Sequence, residues 1–192
     1  MEIANNKNSQ SSKTLDIGCG KHKFPGSVGM DKVKLDGVDV IHDINKFPWP
    51  FKNNEFNCIK MSHVIEHCDS IVDTMQEVHR VTCHFGVVEI TTPHYTDAIS
   101  WSDITHKWHL NTRAFRYFDP NYKTNYYSNA RFEILDSYIE ISNLFKIIGI
   151  EYLVNLERKN RIWRFFRNFW ELYLCFLIRG KNMHFKLKAI KE

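Results

Sequence analysis

The chain cannot close a complete set of internal disulfides. Its five cysteines are an odd number, and Cys19, Cys58, Cys68, Cys83 and Cys175 show neither a CxxC pair nor regular zinc spacing. Isolated, buried thiols in a reducing compartment are the expectation. Long apolar runs are missing too: the uninterrupted stretch at 172–178 is far short of the roughly 20 residues that span a bilayer. No apolar core of signal-peptide length stands near the N-terminus, so a cytoplasmic location is expected. Internal repeats and low-complexity tracts are absent as well. What is present is 192 residues with 43% hydrophobic content, enough for one domain with a sizeable core.

The net charge of +4 hides an asymmetry. Residues 158–192 carry ten Lys or Arg against Glu171 and Glu192, a formal +8, which leaves the preceding residues at −4. A basic end of this kind bears on partners rather than on the fold.

Residues 1–12 are rich in Asn and Ser and read as a flexible leader, followed by a single domain over 13–192. Short apolar runs predict strands at 14–18, 28–31, 38–43, 56–61 and 87–91. The composition of 56–61 suggests a strand covered on both faces. Between the last two, 69–80 has helical spacing, with Ile71, Val72, Met75 and Val78 inward and Asp69 near its start. Alternation predicts two more strands at 132–141 and 183–190. The alternating order of strands and helices points to a parallel, helix-covered sheet.

Leu15-Asp16-Ile17-Gly18-Cys19-Gly20 is a strand running into a two-glycine turn, and Asp31 closes the next strand. Glycines let a ligand approach the backbone, and a carboxylate at that place accepts hydrogen bonds from a ribose diol. The complete GxGxxG pattern is missing, which favours a nucleoside without phosphates over a pyrophosphate dinucleotide.

With Asp43, the run Phe47-Pro48-Trp49-Pro50-Phe51, and Ser62-His63-Val64-Ile65-Glu66-His67, this order resembles class I S-adenosylmethionine-dependent methyltransferases. The small-molecule and lipid group of that superfamily is the nearest in pattern. The similarity runs from about residue 13 to 113, with a weaker match at 183–191. It implies a Rossmann-like α/β fold: a mostly parallel seven-stranded sheet, helices on both faces and an antiparallel last strand. It also implies S-adenosyl-L-methionine as cofactor, held by Asp16, Gly18, Cys19, Gly20, Asp31, Asp43, Ile44, Ser62 and His63. Asp31 would take the ribose, Asp43 the adenine amine, and Ile44 the ring face. Glu66-His67 precedes a helix, where helix-start hydrogen bonding is the simpler role. Where many relatives have Pro-Gly-Gly before strand five, this chain has Cys83-His84-Phe85-Gly86.

The segment 94–130 is expected on the acceptor side. It is dense in groups that orient or deprotonate a hydroxyl, with His106 the first candidate base, Asp103 its orienter and His94 the second candidate. A structural hydrogen bond closing this loop is the alternative role of His106. Tyr95, Trp101 and Trp108 either wall a substrate cleft or form the core of a lid. His94, Asp97, Asp103, His106 and His109 include metal-binding residue types. No metal is expected, because sulfonium methyl transfer needs none unless a diol is chelated.

Residues 158–178 read as one basic, aromatic helix with Arg161, Arg164, Arg167, Asn168 and Glu171 on a polar face. Such a helix suits the surface of an anionic membrane, which would place the protein on its cytoplasmic face. Packing against the sheet or against a second copy of the chain is the alternative. Nucleic acid is not an expected partner, since no RNA module accompanies the arginines, and no Asn/Asp-Pro-Pro-Tyr/Phe run points to nucleobase N-methylation. The expected activity is O-methylation of a small-molecule, saccharide or lipid-linked hydroxyl. The alternatives are an RNA or protein methyltransferase and a non-catalytic, cofactor-binding interaction protein.

Overall fold

Seven strands form one sheet in the order β3-β2-β1-β4-β5-β7-β6 in the computed structural model, which describes residues 13–123 and 125–191. The expected leader at 1–12 lies outside the described residues. The strands are β1 (Thr14–Ile17), β2 (Val28–Asp31), β3 (Val40–Ile41), β4 (Phe56–Ser62), β5 (Thr82–Pro93), β6 (Arg131–Ile141) and β7 (Gly180–Ile190). Neighbours from β3 to β5 pair in parallel, and β7 inserts antiparallel between β5 and β6. Helices flank the sheet: α1 (Ile71–Val81), α2 (Ala98–Ser102), α3 (Asn143–Ile147), α4 (Ile150–Val154) and α5 (Arg164–Phe169).

Side chains alternate across a strand, so each strand commits one face to the core. Leu15, Ile17, Ile59, Met61, Val88, Ile90 and Leu187 all lie on that face, fully buried. Each contributes on the order of 1.5–3 kcal/mol through burial. The opposite face carries charge. Lys60 pairs in register with Glu89, Glu89 with Lys186, and Lys186 with Asp136, a row that crosses four strands. Lys60 Nζ meets Glu89 Oε2 at 2.5 Å and Lys186 Nζ lies 3.5 Å from Glu89 Oε1. The expectation that β4 is covered on both faces is therefore corrected. Cys58 and Lys60 point to a half-exposed polar side, the pattern of a sheet with one dry face.

Three local readings also shift. Strand three shrinks to Val40–Ile41, which leaves Asp43 in the loop beyond it. The N-cap of α1 is Ser70, whose side chain accepts from Asp73 N at 3.2 Å, while Asp69 pairs with Lys107. The glycine-poor segment at 83–86 stays inside β5 as a bulge, with Phe85 at φ +61°.

The basic aromatic segment is not one helix. It comprises 3-10 turns at Leu156–Arg158 and Arg161–Trp163, then α5, then a π-helical turn at Trp170–Leu174. Its orientation is the larger surprise, because the polar side faces inward. Arg167 is 2% exposed and donates to Ser137 Oγ (2.9 Å), Ser137 O (2.8 Å) and Asn155 Oδ1 (2.8 Å), and it pairs with Glu157. Burial pulls its guanidinium below the usual range while Glu157 and Glu171 oppose that pull. Glu171 accepts from the N–H and hydroxyl of Thr112. The apolar side chains Ile162, Phe165, Leu172, Tyr173, Phe176 and Leu177 face outward, each at least 62% exposed. No helix among the described residues is long and apolar enough to cross a membrane.

Candidate functional site

The carboxyl ends of β1, β2 and β4 converge on a cavity of about 500 Å³. Gly18 leaves β1 at φ +65°, and a Cβ there would stand 2.4 Å from Val64 Cγ2, so only glycine fits. Gly18 N donates to Met30 O at 2.7 Å, which ties the turn to β2. Asp31 then braces it from the other side: Oδ2 accepts from Gly20 N and Oδ1 from Val33 N, both at 3.0 Å. Each oxygen keeps a lone pair for a diol.

Gly18, Asp31, Asp43, Ile44 and His63 all line this cavity, as expected of cofactor residues. Asp43 is fixed by an Asx turn, its Oδ1 accepting from Asn45 N at 3.0 Å. Four other expected cofactor residues are not among its lining residues. Gly20 acts through Asp31. Asp16 is buried away from the cavity, where it accepts from Phe24 N at 2.8 Å and holds the following loop; burial raises its pKa. Cys19 packs inside the turn, close under Gly29, and burial raises its thiol as well. Ser62 faces solvent at the end of β4.

Two larger cavities, about 830 and 760 Å³, lie beside β6 and among Arg, Asp and Glu side chains. The glycine turn and the diol-competent carboxylate are both in the smaller one, and chemistry outweighs volume here.

The acceptor-side loop folds back over the 3-10 turn Ile65–His67, since Lys107 N and Trp108 N both donate to Glu66 O (2.8 and 3.1 Å). That brings Ile104, Thr105 and Lys107 to the cavity rim. His106 lies just behind. Its Nδ1 is 3.0 Å from Ser100 O, its Nε2 is 3.7 Å from Asp103 Oδ2, and its ring centroid is 4.6 Å from that of His67. The expected Asp103–His106 neighbourhood is present, at ion-pair rather than hydrogen-bond distance. Asp103 also accepts from Thr105, which holds its carboxyl below the usual range.

His94 is a correction. It is fully buried, its Nδ1 is 2.7 Å from Thr96 Oγ1, and its Nε2 is 3.5 Å from Glu171 Oε1. Packed against Trp170 and the backbone of Gly180, it belongs to the core beneath the carboxyl-terminal segment. Desolvation works against the charge of Glu171, but His94 and Thr112 outweigh it and keep the carboxyl low. Trp101 lies on the outside, stacked on His109 at 3.6 Å with its Nε1 donating to Tyr95 O.

Sequence reading undervalued Glu66 and His67. Glu66 is fully buried, and its Oε1 has no hydrogen-bond partner. That oxygen lies 3.3 Å from His63 Nδ1 and pushes the His63 imidazole above its ordinary pKa. His67 lines the cavity beside Thr105. Their adjacency in Glu66-His67 was visible, but which way each would point was not.

A family model described as a methyltransferase domain matches residues 2–135. No curated protein sequence matches the chain. Among solved structures, a SAM-dependent methyltransferase from Archaeoglobus fulgidus has a TM-score of 0.60 at 17% identity, covering 92% of this chain and 86% of its own. Another from Mesorhizobium loti gives 0.55 at 13% identity, covering 92% and 90%. The [4+2]-cyclase SpnF shares the fold too, with a TM-score of 0.54 at 13% identity, covering 94% and 76%.

Proposed function

This chain belongs to the methyltransferase-domain family and is an S-adenosylmethionine-dependent enzyme, and we propose that it methylates a hydroxyl on a small-molecule, saccharide or lipid-linked acceptor. The observation that carries the reading is the composition of the cavity rim. Thr105 and Lys107 border it, with Asp103 and His106 directly behind, so a polar hydroxyl-bearing acceptor finds partners on arrival.

S-adenosylmethionine supplies a methyl group on a positively charged sulfur. The residues that would hold it line the cavity: Asp31 would offer its oxygens to the ribose, Asp43 would take the adenine amine, Ile44 would pack on the ring, and Gly18 would let the backbone pass beneath. Alignment of the acceptor oxygen is then the main task of the protein, with removal of one hydroxyl proton. In this reading a histidine at the rim, rather than the buried His94, would be the protein's own group for that proton. Incubation with isotopically labelled methyl donor and an envelope or metabolite extract tests the reading. Label on a hydroxyl-derived ether supports it; label confined to RNA or protein favours the rival enzyme class. Tight donor binding without label in any acceptor points to a non-catalytic role.

The outward apolar stripe supports a second element of the proposal, docking on an anionic membrane from the cytoplasmic side. Tyr95 joins the stripe to the acceptor loop, its ring 5.7 Å from that of Phe176 and its carbonyl bonded to Trp101. Exposed Ile99, Trp101 and Ile104 continue the apolar surface toward the cavity rim. A second copy of the chain at this face would bring two +8 segments together, which disfavours that partner.

A further inference from the structure

We propose that Glu66, His67 and His106 form a binding site for a divalent metal ion of the zinc or manganese class, at the rim of the methyl-donor cavity. One ligand atom from each residue lies within 4.8 Å of the others. The two imidazoles are prepared in the same way. His67 Nδ1 stands 3.2 Å from Thr105 O, and His106 Nδ1 stands 3.0 Å from Ser100 O. An Nδ1–H given to a backbone carbonyl fixes the tautomer and leaves the lone pair on Nε2. That is the arrangement of metal-binding histidines.

Glu66 provides the second, independent sign. Its Oε2 accepts from Thr92 Oγ1 at 3.1 Å, whereas its Oε1 is fully buried and has no hydrogen-bond partner. That oxygen has the His63 imidazole 3.3 Å away but no aligned hydrogen bond, and a bound cation would lower the remaining cost of burying it. His63 Nδ1 at 3.3 Å faces the same oxygen but does not account for two pinned imidazoles beside it.

Two imidazoles and one carboxylate are a donor set that suits first-row divalent metals and leaves coordination positions open. Of the three ligands His67 lines the cavity, beside Thr105, and it is through His67 that the ion would border the acceptor's approach. Resting on the methyl-transfer reading, the inference gives the rim cluster a definite task. The metal polarises the acceptor hydroxyl, whose proton leaves to water, and no electron transfer is involved. His106 then serves as a ligand rather than as the base, and the expectation of a metal-free site is revised.

Calorimetric titration of the chelator-treated full chain with Zn²⁺ and Mn²⁺ tests this, with Co²⁺ as a visible-absorption probe. One ion per chain is expected. His67→Ala and His106→Ala should each weaken binding by more than the roughly 10–100-fold lost with an outer-shell partner, and abolish the Co²⁺ band. Exposed His22→Ala should leave both unchanged. Circular dichroism and donor affinity on the same samples separate a lost ligand from a lost fold, and half-buried His67 is the safer position to change. Absence of saturable binding, or binding unaffected in the His67/His106 double variant, overturns the proposal. If donor binding and chelator-resistant methylation persist in that case, the methyltransferase reading still stands. Metal bound at these residues without methyl incorporation upholds the site and counts against the O-methylation reading.

Discussion

The cofactor corner and the carboxyl-terminal segment solve opposite problems with opposite means. At the corner, a few residues close in sequence build a polar cavity on an apolar strand: Gly18, Gly20 and Asp31 brace one another across a single turn. The segment between β6 and β7 instead buries its polar groups and exposes its aromatic ones. Arg167 and Glu171 reach residues 55 or more positions away or in other elements only because the chain folds back beneath them, as the bond from Thr112 to Glu171 shows. One region is local chemistry presented to a ligand. The other is long-range chemistry hidden inside, with its apolar surface left for a partner.

Substitution at the buried arginine should separate the two regions most sharply. Arg167→Met leaves Glu157, Ser137 and Asn155 without their shared donor, and should cost about 3–5 kcal/mol in urea unfolding. Donor affinity of the folded fraction should survive. If affinity falls in step with stability, the regions are not independent.

Asp31→Ala should do the reverse. Loss of charge-assisted hydrogen bonds to a diol is worth about 1.5–3 kcal/mol, on the order of 10–100-fold in donor affinity by calorimetry. The two backbone hydrogen bonds that Asp31 accepts are lost as well, so the thermal midpoint should also fall, though by less than for Arg167→Met. An unchanged affinity would remove Asp31 from the cofactor site.

The corner is where the sequence was most readable. Two glycines and a strand-ending aspartate are each tied to a local backbone need, so their places follow from a short stretch of chain. All seven strands were also anticipated, because short apolar runs and, for the last two, alternation are local signals. Their lengths were not: Val40–Ile41 is short and β5 runs on through a bulge, outcomes decided by neighbouring strands. The segment at 158–178 misled because amphipathic spacing reveals that two faces differ, but not which one turns inward. Arg167 chose the interior because Ser137, Asn155 and Glu157 supply its acceptors there. For the same reason His94 looked like a base and proved to be a core residue. Its partner Glu171 lies 77 positions away, beyond the reach of any local pattern.

A smaller effect should appear with pH. Half-buried His79 donates through Nε2 to Ile190 O at 2.8 Å. Burial lowers its pKa, with Lys191 and Arg131 pushing the same way and the Ile190 bond opposing. The stability it contributes is therefore present above the unfolded value of about 6.5 and is lost as pH falls through the lower folded value. His79→Gln should flatten this part of the acid limb in urea midpoints measured from about pH 7.5 to about pH 5. A limb of unchanged steepness would assign it to other groups.

The least effect on stability is expected on the outward stripe. Phe165, Leu172 and Phe176 changed to Ser should each alter stability by no more than about 0.5 kcal/mol. The triple variant should nevertheless lose sedimentation with vesicles containing anionic lipid. Retained vesicle binding, or sedimentation of the wild-type chain as a dimer that the triple variant breaks, would reassign the stripe.

The row of Lys60, Glu89, Lys186 and Asp136 has a consequence for how this protein tolerates change. Positions on that outer side answer to the sign of their cross-strand neighbours rather than to shape. Lys60→Glu alone would set two anions side by side, and exchanging Lys60 with Glu89 mends that pair only by setting a lysine beside Lys186, so the signs of the whole row must change together. That side of the central strands is thus open to rewriting row by row rather than residue by residue, and sequences that look unrelated along β4 and β5 can specify the same sheet.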